Sequence, residues 1–124
     1  MLYVLRNKDG SVDENSSASL TDAQGKTIHL SLDQFKLTSD KTWQSPKTKA
    51  VYPARWHVSI PSKAIELTIV PKFADQELVM QYGKGPLSYW EGACGVTGTI
   101  KQQAVNGHAY VELTGYQSSF NEKI

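Results

Sequence analysis

Apolar and polar residues alternate with a period of two along most of this chain, which restricts it to strands whose two faces carry different residue sets. The clearest case is 52–60, where Tyr52, Ala54, Trp56, Val58 and Ile60 alternate with Pro53, Arg55, His57 and Ser59. One face is apolar and the other carries charge. Ile65, Leu67 and Ile69 alternate with Glu66, Thr68 and Val70, and the link Pro61-Ser62-Lys63-Ala64 predicts a hairpin between the two segments. Leu78, Met80 and Tyr82 continue the pattern in a further strand, closed by Gly83-Lys84-Gly85-Pro86. Residues 89–105 and 108–116 flank Asn106-Gly107, the strongest short-range hairpin signal, because both central residues of such a turn need positive φ. Towards the N-terminus, 2–6, 17–21 and 27–32 read as strands, with turns at Asp9-Gly10 and Ala23-Gln24-Gly25. Residues 33–46 show no clear alternation and predict a loop or a single helical turn around Gln34-Phe35. No segment reads as an amphipathic helix. About seven or eight short strands with closely spaced turns predict an all-β fold, an antiparallel barrel or sandwich.

The 124 residues amount to one domain. With 13 Lys plus Arg against 12 Asp plus Glu, the net charge of +1 offers no electrostatic footprint for nucleic acid or an anionic membrane. No apolar run approaches the ~18–20 residues of a membrane span. Met1 leads directly into Leu2-Tyr3-Val4-Leu5, without the basic stretch and cleavage site of a signal peptide. The single Cys94 excludes an internal disulfide and a multi-Cys zinc site, and unpaired Cys is most often buried. Two features predict that the domain does not live alone. The chain opens inside a strand pattern, and its three Trp, six Tyr and three Phe exceed what a small filled barrel needs.

The common catalytic signatures are absent: no Gly-x-Ser-x-Gly elbow, no phosphate loop, no His-Glu-x-x-His. His29, His57 and His108 have no metal-ligand spacing, so neither a metal nor a cofactor is expected. Gly92, Gly95 and Gly98 lie inside a strand pattern and read as sites of bulges, bends or close approach. Cys94 sits among Gly, Ala and Val, with no charge beside it to stabilise a thiolate. Chemistry concentrates in two clusters, Ala54-Arg55-Trp56-His57 and Tyr89-Trp90-Glu91-Gly92-Ala93. On a strand, Tyr89 and Glu91 share one face and Trp90 takes the other. If the Glu91 face looks into a barrel, loss of hydration favours the neutral acid, which can protonate a carbon-carbon double bond or a carbonyl. If Arg55 lies beside Glu91, an ion pair holds the carboxylate ionised instead. Both arrangements are open at this level.

Several blocks resemble one family: VYPARWHVSIPS from Val51, ELTIVPKFADQEL from Glu66, YWEGACGVTG from Tyr89 and GHAYVELTGY from Gly107. They are similar to the C-terminal part of the carotenoid 1,2-hydratase and AttH-like group, often labelled predicted secreted hydrolases. MLYVLRNKDGS and SASLTDAQGK resemble the start of that group's second half. The resemblance implies two packed lipocalin-like β-barrels, of which this chain would supply the second, an antiparallel barrel of about eight strands. Its partners would be an N-terminal lipocalin-like domain of the same protein and a hydrophobic small molecule. In the hydratase branch the matching motifs are His-x-Trp and Tyr-x-Asp, the acid being the proton donor. Trp56 matches the Trp, Tyr89 the Tyr and Glu91 the Asp, while Ala54 stands where that branch has His. The resemblance and the clusters together nominate Glu91 and Tyr89 for catalysis, and Trp56, Trp90, Arg55 and His57 for ligand contact. Three functions follow: a hydrophobic-ligand-binding module, an acid-catalysed hydratase or isomerase, or a module that packs one barrel against another. An isolated domain of the last kind is expected to self-associate. The resemblance also implies an exported bacterial protein.

Overall fold

The computed structural model describes residues 1–83 and 85–117, so Lys84 of the expected turn lies outside the described residues. The described residues form nine strands and two 3-10 turns, in two antiparallel sheets. Strands β1 (Leu2–Tyr3), β2 (Ser17–Thr21) and β3 (Thr27–Ser31) make a three-stranded sheet in chain order. Strands β4 (Lys36–Gln44), β5 (Val51–Ile60), β6 (Ile65–Pro71), β7 (Glu77–Tyr82), β8 (Gly85–Ile100) and β9 (Gln103–Leu113) make a six-stranded sheet. Its order is β4-β5-β6-β8-β7, with β9 on the other side of β8. Among the described residues no pairing joins the two sheets or closes either on itself. No helix among them is long and apolar enough to cross a membrane.

The 16-residue strand β8 organises the larger sheet. Along one edge it pairs with β9 from Trp90↔Leu113 to Ile100↔Gln103. Along the other it takes two partners in succession, β7 from Gly85 to Trp90 and β6 from Cys94 to Ile100. Between them Ala93 C=O still accepts from Lys72 N–H (2.9 Å), and the Gln76 side chain completes the pairing of this residue. Its Oε1 accepts from Ala93 N–H (2.9 Å) and its Nε2 donates to Ala93 C=O (3.1 Å). The amide thus supplies the acceptor that Ala93 N–H would otherwise lack and shares the carbonyl with Lys72, meeting the requirement that backbone groups within a sheet be paired. It fits only because residue 92 is glycine: a Cβ there would stand 2.2 Å from Gln76 Cδ. Gly98 permits an even closer approach, since a Cβ there would lie 2.0 Å from the Glu66 carbonyl oxygen. These two glycines act as the sequence predicts, through close approach within a strand.

Two expectations are corrected. Asn106-Gly107 is not the hairpin turn; it lies within β9, opposite Thr97 and Val96. The turn is Lys101-Gln102, between Ile100 and Gln103, and both residues take left-handed backbone angles (φ 49° and 66°). Lys101 N–H donates to Ala64 C=O (2.8 Å), tying this turn to the β5–β6 connection. For residues 33–46 the helical-turn reading holds, as a 3-10 turn at Leu32–Gln34, while the loop reading does not, since the remainder leads into β4. Strand β4 is an edge strand with register shifts between Ser39 and Thr42, and its exposed run Thr38-Ser39-Asp40-Lys41-Thr42 erases the alternation. The hairpin across residues 61–64 and the turns at Gly10 and Gly25 form as read.

The core lies on one face of the large sheet. The small sheet contributes Ala18 and Leu30, which pack with Phe35, Val58, Ile60 and Ile65. A second cluster, Ala50, Tyr52, Trp56, Trp90 and Cys94, continues along the same face, and Leu37 and Ile69 touch both. The even-numbered residues Trp90 and Cys94 of β8 therefore face inward, and Tyr89, Glu91 and Ala93 face outward.

Because Gln76 and Gly92 act as one unit, Gln76→Ala and Gly92→Ala are each expected to cost about 1–3 kcal/mol, and the double variant about as much as either alone. Urea unfolding of the four proteins measures this; additive losses would contradict it. Replacing Lys101-Gln102 by Asn-Gly puts residues that tolerate left-handed angles where the turn requires them and is expected to stabilise by about 1 kcal/mol, read as a raised Tm.

Candidate functional site

Strand β9 ends at Leu113, opposite Trp90, while β8 begins five residues before Trp90, at Gly85. Where β9 stops, a groove of about 500 Å³ opens, lined by Leu87, Ser88, Tyr89, Glu91, Glu112, Thr114 and Gly115. That volume falls within the range of small-molecule sites, roughly 300–1,000 Å³. Glu91 and Glu112 are direct cross-strand neighbours on the outward face. Like charges so placed repel and gain from a ligand that offers a proton or a positive dipole. Tyr110, two residues before Glu112 and largely exposed, stands by them. Partial loss of hydration and the charges of Glu91 and Glu112 push its phenol above the ordinary value, which keeps it a hydrogen-bond donor.

The structure divides the six residues nominated from sequence between two faces. Tyr89 and Glu91 line the groove together. Trp56 and Trp90 lie on the opposite, inward face, buried against each other with ring centroids 6.0 Å apart and planes at 50°. Trp90 Nε1–H donates to Ala74 C=O (2.8 Å), which satisfies its one polar group. Both indoles serve the core, and the groove lining does not include them.

Arg55 and His57 project from β5 on the outward face, but towards β4. Arg55 Nε donates to Asp40 Oδ1 (2.6 Å) and its Nη2 to Asp40 Oδ2 (2.5 Å), a bidentate pair. His57 Nε2 lies 3.2 Å from Asp40 Oδ2, and its Nδ1 is 3.2 Å from Thr68 Oγ1. The Arg55 hydrogen bonds, with help from His57, hold the Asp40 carboxyl well below the usual carboxylate range. The expected Arg55–Glu91 pairing does not form: Glu91 sits on β8, two strands away, about 10 Å laterally at the usual strand spacing. Nor does the Glu91 face look into a closed barrel, since β8 turns it outward, where Glu91 is half-buried at the groove.

Sequence reasoning missed a buried carboxylate. Glu77, 9% exposed at the start of β7, is held by three hydroxyls drawn from distant parts of the chain. Ser45 Oγ donates to Oε2, Thr48 Oγ1 donates to Oε1 (2.5 Å) and Tyr52 OH to the same atom (2.9 Å). Tyr52 OH also meets Ser88 Oγ (3.3 Å), and Ser88 donates to Gln117 Oε1 (2.7 Å). Burial raises the Tyr52 phenol above its ordinary value, so it stays a donor. Because Ser88 also lines the groove, this network fixes the groove wall to the β4–β5 connection and to β7. No short-range signal announces it, because the partners lie 25 to 32 residues from Glu77.

Cys94 is buried and free, and burial raises its thiol. His29, His57 and His108 lie on β3, β5 and β9, and no group of three or more potential metal ligands gathers among the described residues.

The AttH-like family profile matches residues 1–116. A solved structure assigned to AttH, from Nitrosomonas europaea, superposes with a TM-score of 0.71 at 40% identity; the match covers 90% of this chain and 32% of that one. Kievitone hydratase of Nectria haematococca superposes with a TM-score of 0.70 at 20% identity, over 94% of this chain and 34% of its own, a likeness of fold. The chain thus spans about a third of the length of either protein. Comparison with the curated proteins returns no match.

Removing Glu77 takes the acceptor from the Ser45 and Thr48 hydroxyls and leaves Tyr52 OH only Ser88, so Glu77→Ala is expected to cost about 3 kcal/mol or more, measured by urea unfolding; a loss below about 1 kcal/mol would mean that the network carries no weight. Cys94 is expected to resist a thiol reagent in the folded state and react fully in denaturant. Asp40 supplies stability above its unfolded value near pH 4, and that contribution is lost as pH falls towards its depressed folded value. Asp40→Asn is therefore expected to flatten the acid limb of the stability–pH curve.

Proposed function

The chain belongs to the AttH-like family, and from that premise we propose that it is a ligand-binding domain of a longer protein, holding a hydrophobic small molecule in the groove beside β8. The observation that carries this is the groove itself, where Leu87 and Tyr89 offer apolar surface beside the polar ends of Glu91, Glu112 and Ser88. A few placed polar groups on a mainly apolar wall is the usual composition of small-molecule sites. In this reading Trp56 and Trp90 support the wall from behind, and Arg55 and His57 stiffen the neighbouring strands. In the same reading the two sheets are the counterpart of the family's lipocalin-like barrel, left unclosed among the described residues, with an N-terminal lipocalin-like domain as its neighbour. The threefold greater length of the matched structures supports that neighbour, and the family resemblance supports export.

A second reading is favoured by one placement: Glu91 reaches the groove together with Tyr89. In an acid-catalysed hydratase or isomerase, the Glu91 carboxylic acid gives its proton to one carbon of an isoprenoid-like double bond. The other carbon becomes cationic. Water then adds to it and returns a proton to Glu91, or a neighbouring C–H gives up the proton and shifts the double bond. The fold likeness to kievitone hydratase supports the reading. The third reading, a module for packing one barrel on another, is the weaker, because Trp56, Trp90 and Tyr52 already fill this domain's own core.

Titration with a neutral apolar probe, N-phenyl-1-naphthylamine, is expected to give saturable fluorescence and to shift the amide signals of residues 87–91 and 112–115. Tyr89→Ala should weaken binding about tenfold or more, in line with the loss of one buried aromatic contact. Signals that move elsewhere, or none, would overturn the groove as the site. In the longer protein, Glu91→Gln is expected to keep ligand binding and abolish turnover if the second reading holds; undiminished turnover would exclude the acid role.

A further inference from the structure

Strand β7 gives the groove a second wall. Leu78 stands directly opposite Tyr89, and Met80 opposite Leu87. Residues paired in this way share a face, with Cβ atoms about 5 Å apart, so all four project outward. Leu87 and Tyr89 line the groove, and Leu78 and Met80, 42% and 40% exposed, carry its apolar surface across β7. At one end of this block the chemistry changes. Glu91 follows Tyr89 on the same face and meets Glu112 across β8 and β9. From residue 87 to residue 91 the strand advances about 13 Å, so the apolar wall and the acidic end lie one small amphiphile's length apart.

The two carboxylates have no counter-charge of their own. Among the described residues, no Lys, Arg or His nitrogen lies within 4.0 Å of either. Arg55 and His57 on this face are engaged with Asp40. Lys72 and His108 gather at Gly95, further along β8: a Cβ there would lie 3.5 Å from Lys72 Nζ, and His108 is its cross-strand neighbour. Like charges placed directly opposite each other cost stability. Tyr110, the outward residue of β9 before Glu112, adds an exposed aromatic ring beside them, a surface that attracts cations.

We infer that the groove takes an amphiphilic amine, an apolar body that ends in a protonated amino group. This rests on the reading of the groove as a ligand site and names the polar end of its ligand. The ammonium lies between Glu91 and Glu112 and offsets their repulsion, while the apolar body runs along Tyr89 and Leu87 and covers Leu78 and Met80. An alcohol of the same shape offers a hydrogen bond but leaves the repulsion in place. A fatty acid adds a third negative charge.

Competition against N-phenyl-1-naphthylamine tests this, with n-decylamine, n-decanol and decanoate compared below their micelle-forming concentrations at pH 7, where an alkyl amine is protonated as Lys is. The amine is expected to displace the probe at a concentration about tenfold or more below that of the alcohol, the gain from one charge-assisted contact, with decanoate competing least. Glu112→Gln should remove most of the amine's advantage while the alcohol competes as before and the circular dichroism spectrum is unchanged. Met80→Ala should weaken amine and alcohol alike, by about threefold or more. The amine is also titrated alone against the backbone amide signals of Glu91 and Glu112, so the outcome does not hang on the probe: saturable shifts there support the proposal and their absence overturns it. Amine and alcohol competing equally, decanoate competing best, or Glu112→Gln leaving the amine's advantage intact would each overturn the amine while the groove stands as a site for another ligand. If the probe and the amine both leave the groove signals unmoved, the reading beneath the proposal falls with it.

Discussion

One side-chain amide completes the sheet on which the rest of this domain is built. Strand β8 must satisfy a long row of backbone groups on each edge, yet where β6 gives way to β7 the Ala93 N–H has no backbone acceptor, its C=O alone being met by Lys72 N–H. Gln76 bonds both the N–H and the C=O of Ala93 and so joins β6 and β7 into one functional edge. Much else depends on that continuity. It brings Glu77, the next residue, to the place where Ser45, Thr48 and Tyr52 converge. On the same strand, alternation presents Trp90 inward while Tyr89 and Glu91 turn outward to the groove.

The same frame explains why the groove sits where it does. A sheet of unequal strands leaves notches, and β9 stops at Leu113 while β8 extends beyond it to Gly85. Side chains beside such a notch cannot be covered by a neighbouring strand, so they stay partly open even though the opposite face is packed. The Glu77 network then holds the notch open from behind, since Ser88 belongs to the network and to the wall alike. A polar network with every member bonded adds rigidity that an apolar filling would not supply.

Much of this was legible in the alternation of residues, and the failures have physical causes. The faces of β5 and β6 follow directly from the apolar stripe of residues 52–60 and 65–69. Strand β4 was hidden because an edge strand needs no second apolar face, and a bulge at Asp40 breaks the period where the residues are polar. The alternation placed Glu91 opposite Trp90, but which of the two faced the core is settled by packing, in which the indole of Trp90 is buried at a tilt against Trp56, beside Tyr52 and Cys94. Arg55 and Glu91 look like partners in the sequence because strand order is not local information. Their strands are separated by β6, and Asp40 was the nearer acid. Glu77 escaped notice for the same reason, its hydroxyl partners coming from another connection.

The turn at Lys101-Gln102 has a consequence for what fixes the register of the last hairpin. The local turn code favours Asn106-Gly107, yet the native register places these residues in the middle of a strand. Closing the hairpin at Asn106-Gly107 instead would slide β9 along β8 by an even number of residues, so Ala109, Val111 and Leu113 would still face the core. Alternation cannot reject that slipped pairing. Only contacts remote in sequence can: Gly98 pressed against the Glu66 backbone, and Lys101 N–H bonded to the Ala64 carbonyl. The register of the C-terminal hairpin is thus held from outside the hairpin, by the contacts that β6 and the connection before it make with β8 and its turn.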